Sequence, residues 1–313
     1  MTSKGGEKMK DVGEEMAQQL RNRNWIKNYK ELIDEAFADE EVRTFMAENQ
    51  LTQAELARSA SKVYEFVSIK RQIKNGEVTP APGYQPQLVL SNHLIDVAYV
   101  PSDELIRSQK KAEIRARVRT LNMPKAIRNA QLADFDISGR EEIAQAASDF
   151  IDAYTANPRK FIKGMYLQGS FGVGKTYLLG AIANGLAEEG FRSTMLHFPS
   201  FAVEVKSAIG SNNVMEKIDN IKKAPILMLD DIGADQLSSW LRDDVLGIIL
   251  QYRMQEELPT FFSSNLSLQD LLTQYLTVNN RGEAEPLKAR RIMERIVFLS
   301  KEYTMIGRNR RRS

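Results

Sequence analysis

Short apolar runs alternate with helical patterns through the second half of the chain. The run Met165-Tyr166-Leu167 is typical of a buried strand, and it leads into a glycine-rich segment. After that segment, apolar residues four apart at Leu178, Ile182 and Leu186 predict a helix that Gly190 ends. The same pattern predicts strands over 164–168, 193–198, 226–229 and 259–265, and helices that begin at Lys175 and Ser200. This alternation predicts an α/β fold with helices flanking a parallel sheet.

The first part of the chain has a different pattern. Thr52 and Glu55 have the spacing of a capping box, and apolar residues follow at helical spacing until Asn75-Gly76. Apolar runs on both sides of Ser91-Asn92 predict two strands joined by a tight turn. We therefore expect a smaller, mostly helical N-terminal domain with a short β region.

A charged helix is predicted over 103–121, and Asn122-Met123-Pro124 interrupts its pattern. We place the domain boundary there, which gives an N-terminal domain over 1–121 and an α/β domain over 122–313. The basic residues of this helix are compatible with a nucleic-acid or partner contact, but a solvated linker helix is the simpler interpretation.

Composition excludes several classes of protein. The 313 residues are 42% apolar, enough for two domains with their own cores, and the formal net charge is only +2. There is no cysteine, and His93 and His197 are distant in sequence, so we expect no disulfide and no zinc site. The N-terminus lacks the apolar core of a signal peptide and no apolar run is long enough for a membrane span, so we expect a cytoplasmic protein without a membrane partner.

The glycine-rich segment is a complete Walker A phosphate-binding loop, with the sequence Gly169, Ser170, Phe171, Gly172, Val173, Gly174, Lys175 and Thr176, followed by Tyr177. Glycines let backbone amides surround the phosphates of a nucleoside triphosphate, Lys175 neutralises the β and γ oxygens, and Thr176 offers a hydroxyl to Mg²⁺. A glycine-rich turn before a helix is the alternative. The strand before the loop and the helix after it favour the nucleotide site.

Two further strand ends carry polar side chains suited to the same site. The apolar strand before Asp230 and Asp231 predicts a Walker B segment, in which Asp230 holds Mg²⁺ and Asp231 orients or deprotonates a water. Asn265 ends another strand and is expected to contact the γ-phosphate, although asparagine also commonly caps a helix. A solvated turn is the alternative for the two aspartates.

Basic and aromatic residues are interleaved after the second strand of the sheet, as in a groove for single-stranded nucleic acid. The candidates are Phe201, Lys206, Lys217, Lys222 and Lys223. A core position is the alternative for Phe201.

These motifs together resemble the AAA+ ATPases of the bacterial helicase-loader group. The resemblance is carried by the Walker A loop, Asp230–Ala234, Ser239–Asp243, Leu250–Arg253 and Ala289–Ile296, and it extends over nearly the whole chain. It implies an AAA+ ATPase that uses ATP and Mg²⁺. It also implies that Arg295 reaches the γ-phosphate held by a neighbouring subunit, and that an arginine near the C-terminus, Arg311, senses nucleotide within its own subunit.

The resemblance further implies a function and a set of partners. The N-terminal domain would bind the replicative hexameric DNA helicase, the ATPase domains would self-associate, and the protein would place the helicase on single-stranded DNA together with other primosome initiation proteins. Relatives often hold zinc with cysteines in the N-terminal domain, which this chain cannot do. A helper ATPase of transposition and a nucleotide-gated adaptor without significant turnover are the alternatives.

Overall fold

The computed structural model describes residues 30–211, 213–277 and 284–310. The chain divides into two compact units between Lys110 and Lys111. The first unit contains α1 (Glu40–Asn49), α2 (Gln53–Lys74), β1 (Tyr84–Ser91) and β2 (Leu94–Pro101), and α3 (Asp103–Ala116) crosses the division. Within the described residues, no helix combines the length and apolar character needed to cross a bilayer.

The predicted helix and hairpin of the first unit are confirmed. The side chain of Thr52 accepts a hydrogen bond from the Glu55 backbone, and Glu55 accepts one from the backbone of Thr52 in return. The strands β1 and β2 pair antiparallel, and both turn residues between them, Asn92 and His93, have positive φ, as a type I′ turn requires. The core of this unit is small, with apolar side chains from α2 packed against the hairpin.

The second unit has the predicted α/β architecture. Its elements in chain order are β3 (Val118–Leu121), a 3₁₀ helix (Lys125–Asn129), α4 (Glu141–Ala156), β4 (Gly164–Gln168), α5 (Lys175–Glu188), β5 (Ser193–His197), α6 (Phe198–Ser207), α7 (Val214–Lys222), β6 (Ile226–Asp230), α8 (Gly247–Gln255), β7 (Thr260–Ser264), α9 (Pro286–Leu299) and β8 (Ser300–Thr304). The strands form one parallel sheet in the order β3-β5-β6-β7-β4-β8.

Apolar cores cover both faces of this sheet. On β4, Tyr166 belongs to one buried cluster, whereas Met165 and Leu167 belong to the other, because successive side chains of a strand point to opposite faces. The central strands are buried on both sides, which explains why they are continuous apolar runs in the sequence.

The structure corrects the end of the charged helix. We predicted a helix to Leu121, but α3 ends at Ala116 and the residues Val118–Leu121 form β3, which pairs with β5. The two compact units divide within α3, between Lys110 and Lys111, and the domain boundary after residue 121 stays a prediction. This edge strand has only four residues and includes the exposed Arg119, so the segment has no apolar run to mark it as a strand.

A buried arginine lies at the amino ends of two central strands, opposite the carboxyl ends that carry the predicted site. Arg253 on α8 is fully buried, and its guanidinium donates to the carbonyls of Lys222, Ala224 and Pro259 and to the hydroxyl of Thr260. Burial lowers its pKa to about 9. Its planar fork of donors joins the chain entering β6 to the chain entering β7, which holds these neighbouring strands in register.

Candidate nucleotide site

The Walker A loop lies between β4 and α5, where the backbone amides at the start of α5 face the site. Gly172 has a φ of 77°, and a Cβ built on it would overlap the side-chain oxygen of Asn309. The backbone N–H of Arg310 donates to the Gly172 carbonyl over 3.0 Å. Residues near the C-terminus therefore pack directly against the phosphate-binding loop, and only glycine fits at position 172.

Lys175 connects the loop to the end of β7. Its ammonium donates to the carbonyls of Gly169 (2.7 Å) and Ser170 (3.0 Å) and to the side-chain oxygen of Asn265 (2.8 Å). The side chain is largely buried. The structure thus brings Lys175 of the Walker A loop into direct contact with Asn265, which follows β7.

Asp230 is the buried carboxylate of the site, with 4% of its surface exposed. The Thr176 hydroxyl lies 3.0 Å from both of its oxygens, and the Ser263 hydroxyl donates to Oδ1 over 2.5 Å. Burial raises the pKa of Asp230, while the two hydroxyls act in the opposite direction. A carboxylate beside a threonine hydroxyl is a hard oxygen donor set that fits Mg²⁺.

Asp231 is held in a less common backbone conformation, with a φ of 60°. Its N–H donates to Ser263 Oγ over 3.0 Å, and its Oδ1 accepts from Asn265 Nδ2 over 3.4 Å. The other carboxylate oxygen lies 3.7 Å from Nε2 of His197, whose Nδ1 is 2.8 Å from Ser200 Oγ. The carboxylate is partly exposed, with 32% of its side-chain surface accessible.

Sequence reasoning missed His197, Ser200 and Ser263 in this arrangement. Each lies at or next to the carboxyl end of β5 or β7, and carboxyl ends of parallel strands are where ligand-binding residues gather. Strand position was therefore a usable signal for His197 and Ser263.

Sequence reasoning also missed an arginine beneath the Walker A loop. Arg140 is 3% exposed, donates to the Val173 carbonyl over 2.9 Å and lies 4.8 Å from the ring of Phe135. Asp136 forms ion pairs with both Arg140 and Arg310. Burial, followed by the neighbouring Arg310, lowers the pKa of Arg140. This cluster ties the loop to the segment before α4 and to the C-terminal segment.

Of the two arginines assigned from the resemblance, only Arg295 lies within the described residues. Arg295 on α9 donates to the Gly247 carbonyl over 2.8 Å, at the start of α8. Burial lowers its pKa, with a smaller contribution from Arg291. The position chosen as a sensor, Arg311, lies outside the described residues.

The predicted nucleic-acid residues are mostly engaged in other contacts. Phe201 is buried in the core and presents no ring for base stacking, so the core interpretation of this residue holds. Lys222 and Lys223 both pair with Asp219, and Lys217 lies 3.7 Å from Glu204. Lys206 is exposed on α6.

Comparison with known proteins assigns the family. A family model described as the primosomal protein DnaI N-terminus matches residues 9–99, and one described as an IstB-like ATP binding protein matches residues 92–283. The replicative helicase loader DnaI of Bacillus subtilis (strain 168) is 35% identical over 317 residues, which cover 97% of this chain and 99% of that protein. The chain belongs to the DnaI family. The resemblance inferred from its motifs is confirmed.

Solved structures of the ATP-binding part agree with this assignment. A crystal structure of DnaI is 44% identical, covers 63% of this chain and 99% of its own, and superposes with a TM-score of 0.54. A crystal structure of a Streptococcus pyogenes (serotype M3) protein is 42% identical over 64% of this chain and 100% of its own, with a TM-score of 0.53. The fold therefore agrees with that of DnaI over this part of the chain.

The close approach at Gly172 generates a testable prediction. In the Gly172→Ala variant, the new methyl group displaces Asn309 and distorts the loop, so we expect ATP affinity to fall at least about tenfold, or about 1.4 kcal/mol. Titration with a fluorescent ATP analogue measures the affinity. Gly190→Ala is the matched control, because Gly190 has a φ of 96° with no atom within 4 Å of an added Cβ. Equal affinities of the two variants would contradict the predicted role of this contact.

Proposed function

We propose that this protein is an ATP-dependent loader of the replicative hexameric DNA helicase onto single-stranded DNA during the initiation or restart of replication. The observation that carries the proposal is the union, in one chain, of a DnaI-type N-terminal region and an ATP-binding unit with an acidic strand end beside the phosphate loop. The N-terminal region also favours a loader over a helper ATPase of transposition.

In the proposed hydrolysis, Asp231 orients and deprotonates the attacking water. Support comes from its position, since Asn265 and His197 contact its two carboxylate oxygens and leave it partly exposed, and Asn265 also accepts a hydrogen bond from Lys175. Lys175 and Asn265 stabilise the charge that develops on the γ-phosphate oxygens. Thr176 and Asp230 would hold Mg²⁺, which supplies charge neutralisation at the β and γ oxygens.

Hydrolysis acts as an assembly switch in this account. The Lys175–Asn265–Asp231 chain of hydrogen bonds joins the Walker A loop to the ends of β6 and β7. Loss of the γ-phosphate removes a partner that Lys175 and Asn265 share. This loss changes the relative stability of the assemblies that exist before and after hydrolysis. A nucleotide-gated adaptor would share the binding step but would lack the hydrolytic role of Asp231.

Self-association would complete the site. The hydrogen bond of Arg295 goes to α8 and not to the loop of its own subunit, so an action of Arg295 on nucleotide requires a neighbouring copy. A guanidinium that bridges phosphate oxygens is suited to this role. The inferred assembly is head-to-tail, with Arg295 of one copy at the site of the next.

Mixing two inactive variants tests the shared site. Lys175→Ala and Arg295→Ala should each lack ATP turnover, because one loses the phosphate contact and the other the neighbour's arginine. A mixture should recover part of the wild-type rate, since some interfaces then combine an intact Lys175 with an intact Arg295. Phosphate release is the measurement.

The control mixture pairs Lys175→Ala with Asp231→Asn, whose defects lie in the same site and should not complement each other. A mixture that stays inactive would contradict the trans role of Arg295.

The other proposed partners follow from the family. The N-terminal unit would hold the helicase, other primosome initiation proteins would recruit the complex, and the work would take place in the cytoplasm.

Co-purification with the replicative helicase of the same organism tests the proposed function. We expect the full chain to retain the helicase in ATP and a chain beginning at Lys111 to lose it while keeping ATP binding, which would show that the shorter chain is folded. The cut is placed at Lys111, where the compact units divide, because a cut after Leu121 would remove β3 from the sheet. Failure of the full chain to bind the helicase, with ATP turnover intact, would overturn the loader function in favour of a transposition helper.

A further inference from the structure

A cavity of about 450 Å³ lies on the second unit, between β3, the 3₁₀ helix and α5. Its size is in the range of ligand-binding pockets. Three cationic side chains line it, Arg115 from the last turn of α3 and Lys125 and Arg128 from the 3₁₀ helix, and none of its described lining residues is acidic. The cavity therefore presents positive charge at the edge of the sheet, and none of these three side chains belongs to the nucleotide site.

Specific contacts fix the wall of this cavity. Asn184 on α5 donates to the carbonyls of Ile127 (3.1 Å) and Ala130 (2.8 Å), which pins the 3₁₀ helix to α5. Gly180 permits the approach, because a Cβ there would come within 3.0 Å of Ile127. The cationic side chains thus extend from a backbone that is held in place.

The charges of the cavity are not neutralised within the described residues. Lys125 and Arg128 have no carboxylate within 4.0 Å there, and Arg115 donates to the neutral Asn129 side chain over 2.9 Å. Residues three apart in a 3₁₀ helix project from the same side, so Lys125 and Arg128 face a ligand together. Lys222 and Lys223, by contrast, share Asp219.

The cavity is separate from the Walker A loop. None of residues 169–176 is among its described lining residues, and its α5 residues Gly180 and Asn184 lie about 6 Å and about 12 Å further along the helix axis than Thr176. No aromatic side chain is among its described lining residues, so it offers no platform for base stacking. Its chemistry suits phosphate groups without regard to base identity.

We propose that this cavity binds the phosphate backbone of single-stranded DNA through Arg115, Lys125 and Arg128. The inference rests on the proposed function, in which single-stranded DNA receives the helicase. It moves the main DNA contact from the segment around α6 and α7, where the structure pairs most of the lysines, to the edge of the sheet at β3.

The test compares two double variants of the full chain. Lys125→Ala/Arg128→Ala removes two of the three cavity charges, and Arg159→Ala/Lys160→Ala removes one lysine and one arginine from exposed positions after α4. Fluorescence anisotropy with a labelled thymidine 20-mer measures binding as a function of salt. We expect the cavity variant to bind at least about fivefold more weakly and to lower the salt slope by about 1.4, the value for two lost phosphate contacts. The control should bind like the wild type, because a general effect of net charge would weaken both variants equally.

The outcomes separate this inference from the proposed function. If the wild type binds the oligonucleotide and the cavity variant matches the control, the cavity is not the DNA site, although the loader function stands. If the wild type does not bind it with or without ATP and helicase, the DNA step of the proposed function fails as well. Retention of the helicase by the cavity variant would show that its folded N-terminal unit is unaffected.

Discussion

The buried carboxylate of Asp230 is the constraint around which the nucleotide site is built. A charge at the end of a central strand, covered on both faces by apolar clusters, must be compensated by nearby donors or a cation. The hydroxyls of Thr176 and Ser263 come from α5 and β7, so Asp230 ties the Walker A helix to two neighbouring strands. The geometry that serves Mg²⁺ and phosphate thus also holds the elements together.

The order of the strands connects the site around Asp230 to the rest of the second unit. Because β7 lies between β6 and β4, Asn265 falls between the acidic strand end and the phosphate loop, within reach of both Lys175 and Asp231. On the other side, β8 pairs with β4 and brings the chain back across the loop, where Arg310 contacts Gly172. A change at the phosphates can therefore reach the centre of the sheet and the C-terminal segment through direct contacts.

The sequence predicted the parts of the fold whose local pattern agrees with their final environment. The Walker A loop, the doubly buried strands and the capped helix from Gln53 have unambiguous patterns, and the structure contains each of them. The edge strand β3 was missed because it is short and continues the basic pattern of the preceding helix, and β8 was missed because its residues are mostly polar. Arg140 was missed because its role depends on a contact with a segment distant in sequence, which periodicity does not report.

ATP binding and ATP turnover of the Asp231→Asn variant test the central claim most directly. The amide keeps the size of the carboxylate but cannot accept a proton from water, so the account predicts wild-type ATP affinity with turnover reduced at least about a hundredfold. Asp235→Asn is the control, because Asp235 is exposed and lies four residues after Asp231 in the sequence. It should leave both ATP affinity and turnover unchanged. Turnover that survives in the Asp231→Asn variant would show that the acidic strand end binds nucleotide without catalysing its hydrolysis.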